Sequence, residues 1–99
     1  MSRKMISNRD KKTIFELARK YRAKRIFLFD SGAGRSSKAQ DIDLAVEGVP
    51  DREFFEFYGE LILKLSKPID LIDLKIKNKF SRMVIKEGIL LYDQAQEEN

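Results

Sequence analysis

Residues 26–47 read Ile-Phe-Leu-Phe-Asp-Ser-Gly-Ala-Gly-Arg-Ser-Ser-Lys-Ala-Gln-Asp-Ile-Asp-Leu-Ala-Val-Glu. An apolar run from Ile26 to Phe29 stops at a small-residue loop carrying Ser31, Gly32 and Gly34. An alternating run follows, opened by two carboxylates, Asp41 and Asp43. Side chains of a strand alternate between faces, so Asp41, Asp43 and Ala45 share one face and Ile42, Leu44 and Val46 the other. Two carboxylates side by side repel unless a cation lies between them. Beside a Ser/Gly loop they suit a hard divalent cation and its phosphate ligands.

Composition narrows the chemistry further. The 99 residues suffice for one domain with a modest core. The chain has no cysteine, which excludes disulfides, thiolate metal sites and cysteine nucleophiles. It has no histidine either, which removes the commonest general base and every Ser-His triad. Any reaction must run on carboxylates, hydroxyls, Lys/Arg and a hard metal. No apolar stretch is long enough for a bilayer and no leader-like segment opens the chain, so a cytoplasmic protein without a membrane partner is expected. The net charge of +4 is uneven: residues 1–25 hold ten of the twenty Lys/Arg against two acids, Asp10 and Glu16. A basic front end can attract nucleic acid, but its charges are not interleaved with aromatics. Mixed signs on a solvated helix face are the simpler reading, and direct nucleic-acid binding ranks last.

Working outward, Ser7 and Asp10 have the spacing of a helix start, and Ile14, Leu17, Ala18 and Tyr21 recur at helical period. Lys11, Lys12, Glu16, Arg19 and Lys20 then face outward. Residues 25–30 read as a buried strand, Gly32 to Gln40 as loop and residues 41–47 as a second strand. Gly48-Val49-Pro50-Asp51 reads as a turn that caps a helix over about 51–66. Phe54, Tyr58, Leu61, Ile62 and Leu65 form its stripe, with Phe55 and Phe57 outside it. That helix is buried between sheet and loops, or it offers a partner or dimer surface. Gly59 in its interior costs about 1 kcal/mol relative to Ala and would permit a close backbone approach.

Pro68 opens a third strand, Ile69 to Leu74, in which Asp70, Ile72 and Leu74 share a face opposite Ile69, Leu71 and Asp73. Asn78 can cap a helix with Phe80, Met83 and Val84 inward, and Gly88 is a stop signal. Ile89 to Tyr92 is a last strand. Residues 1–6 and the polar tail from Asp93 to Asn99 are expected to be frayed ends. The fold class is α+β, a small mixed sheet with helices packed on it. Asp70, on a separate strand, is the candidate third carboxylate, to complete a metal set or take a proton from an attacking hydroxyl.

Leu28-Phe29-Asp30-Ser31-Gly32-Ala33 followed by Asp41-Ile42-Asp43-Leu44-Ala45-Val46 resembles the signature of the minimal nucleotidyltransferases (MNT), in the DNA polymerase beta-like superfamily. Pro68 to Ile72 resembles the third-carboxylate strand of that family, and Lys86 to Tyr92 its usual ending. The resemblance spans about residues 7–93. It implies that Ser31, Gly32 and Arg35 contact the phosphates of ATP or another nucleoside triphosphate. It implies that Asp41, Asp43 and Asp70 are the catalytic, Mg²⁺-binding carboxylates. It further implies an antitoxin that transfers AMP to a tyrosine hydroxyl of a HEPN-domain toxin. A homo-oligomer is a further state open to such a domain.

Three features depart from the pattern. Gln40 replaces a serine, the loop from Ser31 to Asp41 is about one residue short, and Asp30 stands where the family has glycine. An anion within about 5 Å of a triphosphate costs affinity unless metal, Arg35 or Lys38 screens it. Asp30 either joins the metal shell or marks a domain that has lost transfer. In the second case the protein would bind its partner and block it through the aromatic helix of Phe54, Phe55, Phe57 and Tyr58.

Overall fold

A computed structural model describes residues 6–29 and 41–97. Helix α1 (Asn8–Lys20) begins where Ser7 accepts the Asp10 amide at 3.0 Å, the expected start. It ends at Lys20, and just beyond the capping Tyr21 the φ of 58° at Arg22 lies in the left-handed region usually taken by glycine. The Ala23 amide turns back to the Ala18 carbonyl at 2.9 Å, which closes the helix and directs the chain into the sheet.

Strands β1 (Arg25–Phe29), β2 (Ile42–Glu47), β3 (Ile69–Asp73) and β4 (Ile89–Asp93) form one sheet in the order β3-β2-β1-β4. β1 runs antiparallel to β2 and to β4, whereas β2 and β3 are parallel. A parallel pair needs a crossover, supplied here by α2 (Asp51–Lys64). α3 (Lys79–Glu87) joins β3 to β4, and a short α4 (Gln94–Glu97) follows. The mixed sheet with packed helices is the expected α+β arrangement.

The two faces differ in cover. On one, Ile26 and Leu28 of β1, Ile42, Leu44 and Val46 of β2, and Ile69 and Leu71 of β3 pack against α1 and α2. Phe57, Leu61 and Leu65 are the buried line of α2, and Phe57 meets the Tyr21 ring edge-on at 5.4 Å. Phe57 is thus at the centre of the core and not beside the stripe, while Ile62 faces solvent. Phe54, Phe57, Tyr58, Leu61 and Leu65 keep the i, i+3, i+4, i+7 spacing of one helix face, and the further apolar residues Phe55, Ile62 and Leu63 obscured that line in the sequence. On the second face Phe27, Ala45, Leu74 and Val84 form a smaller cluster under α3.

Several local expectations need correction. Pro50 precedes α2 with no side-chain cap, so the turn leads into the helix without capping it. Gly59 has no neighbour within 4 Å of the place a Cβ would occupy, so it serves no close approach among the described residues. Asn78 caps α3 as expected, in a reciprocal pair with Ser81, yet Ser81, Val84 and Ile85 face the sheet while Met83 is exposed and Phe80 is only partly covered. The shift of the inward line follows from Ser81, whose hydroxyl is spent on the cap and can therefore be buried. Gly88 ends α3 with φ −73°, not in the left-handed region. Glycine is needed there because a Cβ would lie 2.7 Å from the Val84 carbonyl and 3.2 Å from that of Leu28.

Both ends are held further than expected. Ile6 packs on the main core. Residues 94–97 are helical because Asp93 accepts the Ala95 amide at 3.0 Å and Glu97 pairs with Arg19 at 2.8 Å. No helix among the described residues is long and apolar enough to cross a membrane.

Candidate functional site

The site is built on β2, the strand between β1 and β3. Ile42, Leu44 and Val46 enter the main core, which forces Asp43 and Ala45 onto the opposite face. In the parallel ladder Asp43 is the register partner of Asp70, and Ala45 that of Ile72. Neighbouring strands lie about 4.8 Å apart, so Asp43 and Asp70 project side by side. On the other flank Asp43 faces Phe29, the last residue of β1. Phe29 packs edge-on against Phe80 of α3 at 5.6 Å, an aromatic wall on that side.

Asp41 immediately precedes β2 and is half-buried, Asp43 is 3% exposed, and Asp70 is exposed. The acids therefore grade from buried centre to solvent across one end of the sheet. This is the end at which β1 stops and the chain passes to residues 30–40. Ser31, Gly32, Arg35, Lys38, Asp30 and Gln40 lie outside the described residues, so the phosphate-loop expectation rests on sequence.

The backbone beneath the acids is fixed from two sides. The Ile42 amide, between Asp41 and Asp43, donates to the Pro68 carbonyl at 2.8 Å. Two residues before Pro68, Ser66 donates to the buried Asp10 carboxylate through its amide at 3.1 Å and its hydroxyl at 2.6 Å. Sequence reasoning missed Asp10 and Ser66. An acid in the first turn of a helix reads as a solvated charge favoured by the helix dipole, and nothing local marks it for burial.

Among the described residues, no three acids stand close enough together to hold a metal ion by themselves. The set fits a hard cation of a different kind. Mg²⁺ commonly takes one or two carboxylates and completes its octahedron with water and substrate phosphate oxygens. Asp43 and the neighbouring Asp70, with Asp41 two residues before Asp43 in the chain, have the right donor chemistry for that.

The sequence profile described as "Polymerase beta, Nucleotidyltransferase" matches residues 11–97, nearly the whole chain. The chain belongs to the polymerase beta nucleotidyltransferase family. Among solved structures, this nucleotidyltransferase domain is similar to a chain of the MntA–HepT toxin–antitoxin complex, with 23% identity over 90% of this chain and 74% of that one and a TM-score of 0.63. A toxin–antitoxin structure with AMP-PNP matches at 26% identity over 93% of this chain and 78% of that one, TM-score 0.64. A complex of tri-AMPylated Shewanella oneidensis HEPN toxin with MNT antitoxin matches at 24% identity over 90% and 74%, TM-score 0.63. No curated protein matches the chain. The MNT resemblance read from residues 28–46 and 68–72 thus agrees with the family and with its structural neighbours.

Proposed function

We propose that this nucleotidyltransferase domain is the antitoxin of a HEPN-type toxin and transfers AMP from ATP to a hydroxyl of that partner in a Mg²⁺-dependent reaction. The observation that carries the reading is the β2–β3 register, which puts Asp43 beside Asp70 at the end of the sheet entered from the Ser31-Gly32 segment. Structural neighbours that include a nucleotide-analogue complex and an AMPylated toxin support it.

In this reading Asp41 and Asp43 would hold the cation, while Ser31, Gly32 and Arg35 would take the phosphates. Bound Mg²⁺ would supply charge neutralisation on the triphosphate. The acceptor oxygen attacks the α-phosphorus, a P–O bond forms, and the bond to pyrophosphate breaks. The proton of the acceptor hydroxyl passes to Asp70, the most exposed carboxylate of the three and hence the most accessible to a protein substrate. Positioning and charge provide most of the acceleration.

A second reading, an antitoxin that blocks its partner without transfer, is favoured by two observations. Asp30 stands at the glycine position of the loop. The outer face of α2 presents Phe55 and Leu63, each more than 80% exposed, together with Ile62. Phe57, at 0% exposure, is removed from the docking set that the sequence suggested.

Calorimetric titration of Mg²⁺-ATP separates the two. Binding by the intact chain that is lost in Asp43→Asn supports the transferase. No binding by the intact chain, with binding gained in Asp30→Gly, assigns the fold to the blocking role.

A further inference from the structure

We infer that Asp10, far from the acidic cluster in sequence and on the opposite side of the sheet, is a positioning residue for that cluster. The inference rests on the transferase reading for its purpose, though its structural content does not. Asp10 is 2% exposed, in a helix whose remaining charged residues are exposed. A buried carboxylate is costly unless it is satisfied. Both its oxygens are taken by one residue, Ser66, at 3.1 Å from the amide and 2.6 Å from the hydroxyl.

Ser66 lies in the connector from α2 to β3, two residues before Pro68. The Pro68 carbonyl accepts the Ile42 amide at 2.8 Å, and Ile42 separates Asp41 from Asp43. This bond starts the β2–β3 pairing: Ile42 meets Ile69, and Asp43 meets Asp70 one step on. A slip by one residue would turn Asp70 to the other face, because strand side chains alternate. The only covalent route into β3 is this connector. Asp10 therefore ties the entry of β3 to α1, and through Pro68 sets where Asp70 stands relative to Asp43.

Proline adds to this arrangement. With φ held near −65° at Pro68, little freedom remains between the Ser66 anchor and the Ile42 bond. A solvated loop of this length would need no buried acid. The two-pronged acceptance of Ser66 is explained by a need to hold the connector at one height along the sheet.

The test uses the full chain and two readouts. The first is amide hydrogen exchange at Ile42, compared with Lys24, whose amide bonds the Glu47 carbonyl at 2.7 Å at the far end of β2. The second is Mn²⁺-ATP affinity. In Asp10→Ala, exchange at Ile42 rises tenfold or more while Lys24 is unchanged, and affinity falls severalfold because Asp41 and Asp43 flank the loosened Ile42. Asp10→Asn, which can still accept the amide and donate to the hydroxyl, restores both. Should Asp10→Ala fail to fold, Ser66→Ala removes only the hydroxyl bond and gives the same pattern in weaker form.

Equal acceleration at Ile42 and Lys24 would overturn the inference, since Asp10 would then support stability alone. So would faster exchange at Ile42 with undiminished affinity. If the intact chain binds no Mn²⁺-ATP, the transferase reading fails, and the exchange comparison alone decides whether Asp10 sets the β3 entry.

Discussion

Asp43 and Asp70 stand opposite each other in the parallel β2–β3 ladder, with Asp43 buried and Asp70 open to solvent. The different surroundings assign them different duties under the transferase reading, and substitution should separate these. Asp43→Asn removes a metal ligand and is expected to weaken Mg²⁺-ATP binding about 10- to 100-fold, equivalent to roughly 1.4–3 kcal/mol. Asp70→Asn leaves ATP affinity within about threefold but slows transfer by about 100-fold, as loss of a positioned proton acceptor does. Calorimetry and a partner-labelling rate measure the two effects.

Two phenylalanines of α2 differ in the same way for stability. Phe57→Ala empties the centre of the main core and should cost about 3–5 kcal/mol. For a domain with about 5–15 kcal/mol in total, that is a large share. Phe55→Ala changes stability by less than about 0.5 kcal/mol because its ring is 81% exposed. Urea unfolding reads both. A loss of partner binding in Phe55→Ala without loss of stability would locate the docking face on α2.

Glycine substitutions should have opposite signs. Gly59→Ala adds a methyl group into open space within a helix and is expected to stabilise by about 0.5–1 kcal/mol. Gly88→Ala drives a Cβ against two backbone carbonyls that cannot move independently, and should cost about 1–3 kcal/mol. Thermal unfolding of the two variants side by side provides the check.

The Tyr21–Glu60 bond at 2.6 Å predicts a pH dependence with two limbs. Hydrogen bonds from Lys20, Tyr21 and Lys64 hold the Glu60 carboxyl at about 2, well below its usual 4.5. A depressed acid stabilises the fold above its unfolded value, so this contribution is present above about pH 4.5 and is lost as pH falls toward 2. The same bond pushes the Tyr21 hydroxyl from 10 up to about 12. Its contribution is complete below pH 10 and is lost as pH rises through 12. Unfolding midpoints of Glu60→Gln across pH should be flatter at both extremes than those of the intact chain. Salt should reduce the acid limb, since the lysines are exposed.

Strand faces were legible in the sequence because alternation is a local property. Ile42, Leu44 and Val46 announce one buried side, and the sorting of Asp70 from Asp73 follows by the same period. Helix starts at Ser7 and Asn78 were legible for a similar reason, since a cap and its target amide lie within four residues. The centre line of α2 was misplaced. Phe54, Phe57, Tyr58, Leu61 and Leu65 share one helical face, but Phe55, Ile62 and Leu63 widen the apolar surface and hid Phe57's place on it. Asp10 was still further out of reach, because its partner lies 56 residues away. For the candidate site, the pairing of acids could be anticipated, but the tie that fixes their register could not.

The placement of β1 has a consequence for how the domain is made. β1 is an inner strand, flanked by β2 and by β4, so its second edge is completed by residues 89–93. A chain emerging from the ribosome shows that edge bare until the last strand arrives. Closure over so long a stretch is entropically slow, because the connecting chain must be ordered before the pairing rewards it. During that interval Ile26 and Leu28 have an unpaired backbone beside them, the sort of edge that recruits strands from other chains. Until residues 89–93 pair with it, that edge is a place where another strand can add, so the sheet is safe from strand addition there only once its latest-made strand is in place.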